Sequence, residues 1–331
     1  MCADWVKHYQ AGRPEDWLIS TVRADDNPLC QHINIVDLAH DAIADIPQES
    51  FVILGFACDA GIKRNGGRIG AKQGPKALRR ALGRLPLQQE LPFHCYDVGT
   101  IICNRDNLEA SQAALADVIA LLQQRRLRTI ILGGGHETAW GHYQGLAKAH
   151  PNEPIGIINF DAHFDLRPLL ADNKGHSGSP FFQISEYNQQ LDLPFDYTCI
   201  GIQQSANSAA LFAKAKQLGC HYVLAEDLLF NNSEHCVSLL DDIINRNDQL
   251  YLSICMDVFA TSVAPGVSAP QINGLQPHHV VEILRYILQS LRVLSIDVVE
   301  LSPPLDNNDQ TAKLAALLVW EYLHHSSASA K

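Results

Sequence analysis

Residues 155–165 read IGIINFDAHFD, an aliphatic run that passes directly into two aspartates around a histidine. The short apolar run is typical of a strand buried in a parallel sheet. Alternate residues of an extended segment point to one side, so Asp161, His163 and Asp165 are expected to converge. Two carboxylates beside an imidazole repel each other unless a cation neutralises them. The stretch therefore favours a strand that ends at a metal site, although an isolated motif of this kind also fits an ordinary turn with solvated acids.

Similar apolar runs predict further buried strands at 51–56, 128–135, 197–202, 251–258 and 291–300. Helical patterns lie between or after them, at 74–85, 106–126, 206–219, 234–246, 278–291 and 310–325. In the clearest of these, 106–126, Asp106 and Glu109 predict a capping pair ahead of an apolar face. Strands that alternate with helices indicate an α/β fold, either an open doubly wound sheet or a barrel.

No Pro/Ser-rich linker interrupts the alternation, so we predict one domain over residues 46–325. The preceding residues 1–45 lack a clear periodicity and are expected to form an irregular arm or lid. Residues 326–331, rich in serine and alanine, are expected to be a frayed tail.

The amino-acid composition and charge exclude several classes of protein. The 331 residues carry 25 Lys and Arg against 36 Asp and Glu, a formal net charge of −11, which argues against nucleic acid or an anionic membrane as partner. Hydrophobic residues make up 47%, enough for a large core, yet no apolar run is long enough to span a bilayer. The nine cysteines include no C-x-x-C pair, which argues against a disulfide framework or a zinc ribbon. The polar N-terminus lacks a signal peptide, so the cytoplasm is the expected location.

Two other strand ends carry ligand chemistry. Three glycines at 133–135 form a turn that precedes His136, and the run YLSICMDV places Cys255 and Asp257 on one face. The predicted ligands are His136, Asp161, His163, Asp165 and Asp257, with Cys255 as a sixth candidate. Because carboxylates dominate, the set suits Mn²⁺ better than a structural zinc ion. Two ions that share Asp161 would generate hydroxide at neutral pH, which implies hydrolysis at an electrophilic carbon.

These motifs resemble the ureohydrolases, the arginase and agmatinase superfamily, over roughly residues 50–320. The similarity rests on Gly133 to His136, the D-A-H-x-D block from Asp161, the S-x-x-x-D block followed by A-P-G (253–266), and D-V-V-E at 297–300. The resemblance implies an arginase-like three-layer fold, with a central, mostly parallel sheet and helices on both faces. GGGHE at 133–137, RNGGR at 64–68 and SGSPF at 177–181 are most similar to the formimidoylglutamases. These hydrolases cleave N-formimidoyl-L-glutamate to glutamate and formamide in histidine degradation.

The resemblance also implies how the ligands divide. One ion would take His136 and Asp165, the other His163 and Asp257, with Asp161 between them. Cys255 stands where the family usually has a second bridging aspartate. A thiolate is softer than a carboxylate, so this departure would weaken the binding of one ion, leave a site with a single ion, or favour another metal. A buried cysteine without a ligand role is the alternative.

The substrate implied by the resemblance is a small dianionic amidine. Its binding site needs an acidic side chain for the amidine and cationic side chains for the two carboxylates. Glu300 matches the family residue that binds the amidine. For the carboxylates, the Gly-rich loop with Arg64, Asn65 and Arg68 is the first candidate, because an Arg fork binds a carboxylate through two hydrogen bonds. Arg167 follows the D-A-H-x-D block and is a further candidate.

The expected reaction is attack by metal-bound hydroxide on the formimidoyl carbon, followed by expulsion of the glutamate amine. Two residues compete as the proton donor to that amine, Asp165 and His176. Ser177 matches the position of a catalytic histidine in arginases and is expected in the substrate pocket.

Other interpretations stay open at this point. Another ureohydrolase specificity (guanidinobutyrase, agmatinase or arginase), a non-catalytic family member, or a deacetylase of similar fold would share much of this pattern. Whether the chain forms a homo-oligomer is equally open.

Overall fold

The computed structural model describes residues 4–17, 26–41, 43–87, 94–229 and 233–326. Within them the strands are β1 (Tyr9–Gln10), β2 (Ile33–Ile35), β3 (Phe51–Ala57), β4 (Cys95–Ile102), β5 (Arg128–Leu132), β6 (Gly156–Phe160), β7 (Tyr197–Ile202), β8 (His221–Leu224), β9 (Leu250–Cys255) and β10 (Val293–Val299). The α-helices are α1 (Ala60–Arg64), α2 (Gly74–Gly83), α3 (Leu108–Gln123), α4 (Thr138–Ala149), α5 (Pro180–Gln190), α6 (Ala209–Gln217), α7 (Ala225–Leu229), α8 (Ser233–Arg246), α9 (Pro277–Leu288) and α10 (Gln310–His325).

The ten described strands form one sheet in the order β1-β4-β3-β5-β10-β9-β6-β7-β8, and β2 also pairs with β4. Every pairing is parallel except that of β1 with β4. The predicted α/β architecture with a mostly parallel sheet is confirmed. An open sheet is formed, so the barrel alternative is wrong.

Alternate residues of the strands build two separate apolar cores. Along β3, Phe51 and Ile53 join one cluster with α2, α8, α9 and α10, whereas Val52 and Leu54 join the other with α3 to α6. Because both faces are covered by helices, the central strands are apolar throughout, which is why they could be predicted from sequence.

All six strands predicted from apolar runs are present. Four strands escaped prediction. β1 and β2 are two and three residues long, β4 carries Asp97, and β8 has only four residues. The predicted capping pair of α3 is wrong. Its N-cap is Asn107, while Asp106 pairs with Lys63 and Glu109 pairs with Arg64.

A buried ion pair joins α2 to β4. The guanidinium of Arg79 donates to both carboxylate oxygens of Asp97 at 2.8 Å, and Trp17 donates to the same carboxylate at 2.6 Å. Arg79 lies in a basic stretch of the sequence, yet its side chain is 3% exposed. Tertiary contact with a strand that the sequence did not predict explains why it is buried.

The described part of the predicted arm, residues 1–45, adds β1 and β2 to one side of the sheet. Residues 1–3, 18–25 and 42 of that arm lie outside the described residues, and of the predicted tail 326–331 only Ser326 is described. Among the described helices, none has the length and apolar composition that would let it cross a membrane.

Candidate active site

Four central strands bring the predicted site residues to one edge of the sheet. The order β5, β10, β9, β6 sets side by side the carboxyl ends that lead to His136, Glu300, Cys255 and Asp161. Loops at this edge of a parallel sheet are where such folds hold ligands.

The glycine turn after β5 packs tightly against the chain that follows β3. A Cβ atom at Gly134 would lie 1.8 Å from the carbonyl oxygen of Cys58, so only glycine fits. The N–H of Gly135 donates to that same oxygen at 3.0 Å. This close approach holds the turn over the sheet edge and buries the ring of His136 there.

The histidines and carboxylates form two groups that share Asp161. Nδ1 of His136 lies 3.0 Å from Oδ2 of Asp161 and 2.9 Å from Oδ2 of Asp165. Nδ1 of His163 lies 3.4 Å from Oδ1 of Asp161 and 3.2 Å from Oδ2 of Asp257. Asp161 therefore presents one oxygen to each group.

The D-x-H-x-D residues meet as predicted, but not by extended alternation. β6 ends at Phe160, and the carboxylate of Asp161 accepts a hydrogen bond at 2.8 Å from the N–H of His163, which closes a tight turn. Asp165 then has a φ of 49°, in the left-handed region. Asp257 likewise lies in a 3-10 turn, Met256–Val258, and not on β9 itself.

Charges within the cluster set its protonation. Burial opposes the imidazolium of His136, but the carboxylates of Asp161 and Asp165 outweigh it and raise the pKa of His136 well above its usual value. Burial and the neighbouring carboxylates act on His163 in the same way, and its pKa is also raised. Burial, reinforced by the Asp161 carboxylate, raises the pKa of Asp165 to about 6.

Several observations fit a cation between these groups. Nδ1 of His136 and Oδ1 of Asp257 are buried and have no hydrogen-bond partner among the described residues. Buried polar atoms without partners are rare unless water or an ion satisfies them. One ligand atom each from His136, Asp161 and Cys255 lies within 4.8 Å of the others, and the same holds for Asp161, His163 and Asp257.

Cys255 lies at the cluster, where its thiol is 1% exposed. Burial, together with the carboxylates of Asp161 and Asp257, raises the pKa of that thiol well above its usual value. A metal would have to displace the thiol proton, because the thiolate is the form that binds metals.

Ser253 determines which nitrogen of His136 faces the cluster. Its hydroxyl lies 2.9 Å from Nε2 of His136 and donates to Oδ1 of Asp297 at 2.6 Å. Since the one hydroxyl hydrogen is used on Asp297, the serine accepts from Nε2–H, which leaves the Nδ1 lone pair for a metal. Asp297 is held in turn by Tyr251 and by His142, whose Nδ1 lies 2.7 Å away.

Glu300 follows β10 with a φ of 67°, a strained conformation of the kind that collects at functional sites. Its Oε1 accepts a hydrogen bond from the N–H of His136 at 2.8 Å. Burial, then the carboxylates of Asp257 and Glu137, raise the pKa of Glu300 well above its usual value. A cationic ligand beside this carboxyl would favour its ionised form.

A pocket of about 320 Å³ opens above the cluster. Its lining residues are Asn65, Gly66, Gly67, His136, His163, Asp165, Arg167, Ser177, Ala206, Cys255, Asp257, Ser268, Ala269 and Glu300. Asn65 donates to the hydroxyl of Ser177 at 3.2 Å, which joins two walls. Among the described residues, Arg167 is the one arginine or lysine in the lining, and its side chain is exposed.

Two predicted substrate residues are engaged elsewhere. Arg64 donates to both carboxylate oxygens of Glu109, at 2.6 and 3.1 Å, and to the carbonyl oxygen of Gly175 at 3.0 Å. Arg68 donates to the carbonyl oxygens of Ser268 at 3.0 Å and Val267 at 2.7 Å. Neither guanidinium lines the pocket, and their contact with a substrate stays a prediction. These side chains hold the walls in place.

His176 does not line the pocket either, and its role as proton donor stays a prediction. Its Nδ1 accepts from the N–H of Gly178 at 3.1 Å, so Nε2 carries the hydrogen and donates to the carbonyl oxygen of Pro168 at 3.1 Å. Burial lowers the pKa of His176. The ring is therefore a neutral support of its own loop.

Sequence reasoning missed the wall at Ser268 and Ala269 and assigned no role to Asp297. The wall lies in an irregular segment without periodicity. Asp297 carried a signal, since it is an acid inside an apolar strand, and a buried acid needs partners.

The comparisons with known proteins agree with this geometry. The model of the arginase family matches residues 49–325. The formimidoylglutamase of Legionella pneumophila (strain Lens) is 43% identical over 97% of this chain and 98% of its own length, and that of Geobacillus thermodenitrificans is 42% identical over 90% of each. A crystal structure of a formiminoglutamase variant from Trypanosoma cruzi with Mn²⁺ superposes with a TM-score of 0.78 at 26% identity, covering 90% of this chain and 97% of that one. The chain belongs to the arginase family.

Proposed function

We propose that this protein hydrolyses N-formimidoyl-L-glutamate to L-glutamate and formamide, a step of histidine degradation. The observation that carries the proposal is the placement of Glu300 and Arg167 in one pocket, an acid at the floor and an exposed guanidinium in the lining. A dianionic amidine has the complementary distribution of charge. The curated relatives at 42 to 43% identity are formimidoylglutamases, which supports the same substrate.

We propose Mn²⁺ as the metal and two ions as its number. The shared position of Asp161 between two ligand groups supports two ions, and the predominance of carboxylate oxygens supports manganese. When bound, such ions act as Lewis acids and make hydroxide available at neutral pH.

Glu300 orients the amidine. One carboxylate oxygen is engaged by the N–H of His136, and the side chain lines the pocket floor. An amidinium is planar and presents parallel N–H donors, which a carboxylate accepts well. Pairing with the cation stabilises the ionised form of Glu300 and aligns the formimidoyl carbon over the cluster.

Asp165 carries the proton to the leaving glutamate amine. It is a carboxyl group that can pass a proton from the metal cluster to a group in the pocket. It lies in the pocket lining, whereas His176 does not. The structure thus favours Asp165 over its competitor.

Arg167 binds a carboxylate of the substrate, with Asn65 and Ser177 as hydrogen-bonding neighbours. Because Arg64 and Arg68 are engaged elsewhere, the discrimination against cationic substrates rests on Arg167. We also propose a cytoplasmic location, which the eight described cysteines support because all are free thiols.

The test is a substrate panel with Mn²⁺-loaded protein. Formimidoylglutamate, guanidinobutyrate, agmatine and arginine are supplied separately, and formamide, urea and ammonia are quantified. We expect formamide and glutamate from the first compound alone. Faster urea release from arginine or agmatine would identify another ureohydrolase, and no turnover at full metal occupancy would identify a non-catalytic member. Glu300→Gln, which keeps the side-chain shape, should retain the metal and lose turnover.

A further inference from the structure

Strands β3 and β4 end side by side, and a cysteine follows each of them. Ala57 and Ile102 are register partners at these ends, and the N–H of Cys103 donates to the carbonyl oxygen of Ala57 at 3.2 Å. Cys58 and Cys103 therefore leave from neighbouring backbone positions. Both are free thiols, and their side chains are close enough for each to shift the pKa of the other.

The two thiols differ in access and in charge. Cys58 is buried, whereas Cys103 is half-buried and borders an exposed loop. The hydrogen bond from Cys58, aided by Ser111 and by the positive charge of Arg64, lowers the pKa of Cys103 to about 7. The same contact raises the pKa of Cys58, so the shared proton stays on the buried sulfur.

The other half-buried cysteines that the structure describes lack this environment. Burial raises the pKa of Cys30, and it raises the pKa of Cys220 to about 12. Reactivity of a thiol follows thiolate character and access together. Among the cysteines that the structure describes, Cys103 alone combines a lowered pKa with access, and a second cysteine lies beside it.

We propose that Cys58 and Cys103 form a thiol pair that a peroxide oxidises to a disulfide. In the first step the Cys103 thiolate attacks a peroxide oxygen, the O–O bond breaks, and Cys103 becomes a sulfenic acid as hydrogen peroxide is reduced to hydroxide. In the second step the sulfur of Cys58 displaces the sulfenic hydroxyl, which leaves as water with the Cys58 proton. The balance is two thiols and one peroxide giving one disulfide and two waters.

The pair lies beneath one wall of the active-site pocket. Cys58 precedes α1, which carries Arg64 and leads into the pocket residues 65–67. The charge of the Cys103 thiolate faces Arg64, so oxidation removes one of the anions that hold α1 in place. We expect a higher KM with unchanged metal content, a consequence that rests on the proposed function, whereas the chemical modification does not.

The experiment treats the metal-loaded full chain with hydrogen peroxide at low molar excess, then alkylates free thiols and maps peptides by mass spectrometry. The variants are Cys58→Ser, Cys103→Ser and the matched control Cys220→Ser. Wild type and the Cys220 variant should give a peptide crosslinked through 58 and 103 that dithiothreitol releases. The Cys58 variant should stop at a sulfenic acid on Cys103 that dimedone traps, and the Cys103 variant should give neither product.

Equal oxidation of Cys30, Cys103 and Cys220 in wild type would overturn the proposal. This measurement uses wild-type protein alone, so it does not depend on the folding of any variant. Absence of the crosslink under conditions that oxidise other cysteines would overturn it as well. A crosslinked protein with unchanged KM would overturn the effect on the pocket wall. Lack of formimidoylglutamate hydrolysis before peroxide is added would count against the proposed function alone.

Discussion

The hydroxyl of Ser253, on β9, lies 2.9 Å from Nε2 of His136, which follows β5 on the other side of β10. Its hydrogen is directed to Asp297. A side chain on one strand thus sets the tautomer of a metal-ligand candidate on another. The relationship links the buried polar groups of the sheet to the chemistry at its edge.

Ser253→Ala should weaken Mn²⁺ binding by about 10- to 100-fold, the range seen when groups behind metal ligands are removed. The physical reason is that His136 then has no partner to hold Nε2–H, so Nδ1 is presented to the metal less often. Isothermal titration calorimetry with Mn²⁺ measures the affinity of each variant. Ser185→Ala is the matched control, since its buried hydroxyl donates only within its own helix, to Phe182. Equal affinities of the two variants would contradict the role of Ser253.

Cys255→Asp should raise the amount of Mn²⁺ bound at a fixed free concentration, and Cys255→Ala should lower it. A carboxylate is a harder ligand than a thiolate and suits manganese better. Elemental analysis after equilibrium dialysis provides the stoichiometry. Cys236→Ser serves as control, because that buried thiol lies in α8, outside the pocket. If neither change at Cys255 alters the metal content, the thiol is a core residue without a ligand role.

Arg167→Ala should raise the KM for formimidoylglutamate and lower kcat/KM by about 10- to 100-fold, which corresponds to the ~1.5–3 kcal/mol of hydrogen bonds to a charged group. Lys174→Ala is the control, a cation of the same loop that does not line the pocket. Steady-state kinetics give KM and kcat/KM for both variants. A KM for the Arg167 variant equal to that of the control would show that another group binds the carboxylate.

The metal-free protein should lose stability as pH rises above about 6.5, the ordinary value for histidine. His136 and His163 have raised pKa values in the folded state, so their stabilising contribution is complete below that pH and disappears as pH rises through the raised values. The raised pKa of Glu300 acts in the same direction. Urea denaturation of chelator-treated protein between pH 6 and 9 tests this. Metal-loaded protein should show a smaller decline, because metal binding strengthens as competing protons are lost. If the free energy of unfolding of the metal-free protein does not change with pH, the raised pKa values of His136 and His163 are contradicted.

Much of the fold was predictable because it depends on apolar runs. Each buried central strand, such as 155–160 or 197–202, is a run of side chains that both cores bury, and the runs survive in any tertiary arrangement that covers both faces. The strands β4 and β8 were not predictable in this way. Asp97 interrupts the apolar run of β4, and only the packing of Arg79 against it makes a buried carboxylate acceptable.

The residue order alone identifies which residues follow the central strands, and hence predicts that His136, Asp161, His163, Asp165 and Asp257 meet at one sheet edge. That much follows from the common direction of parallel strands. Which cations reach the pocket depends on contacts that form when the chain folds. Arg64 ends α1, whereas Arg68 and Arg167 stand in loops, and no pattern in the sequence around them predicts which one reaches the pocket. A guanidinium binds whichever carboxylate or carbonyl the fold brings within hydrogen-bond distance, and folding brings Glu109 to Arg64 and the 267–268 backbone to Arg68, while Arg167 is left to face the pocket.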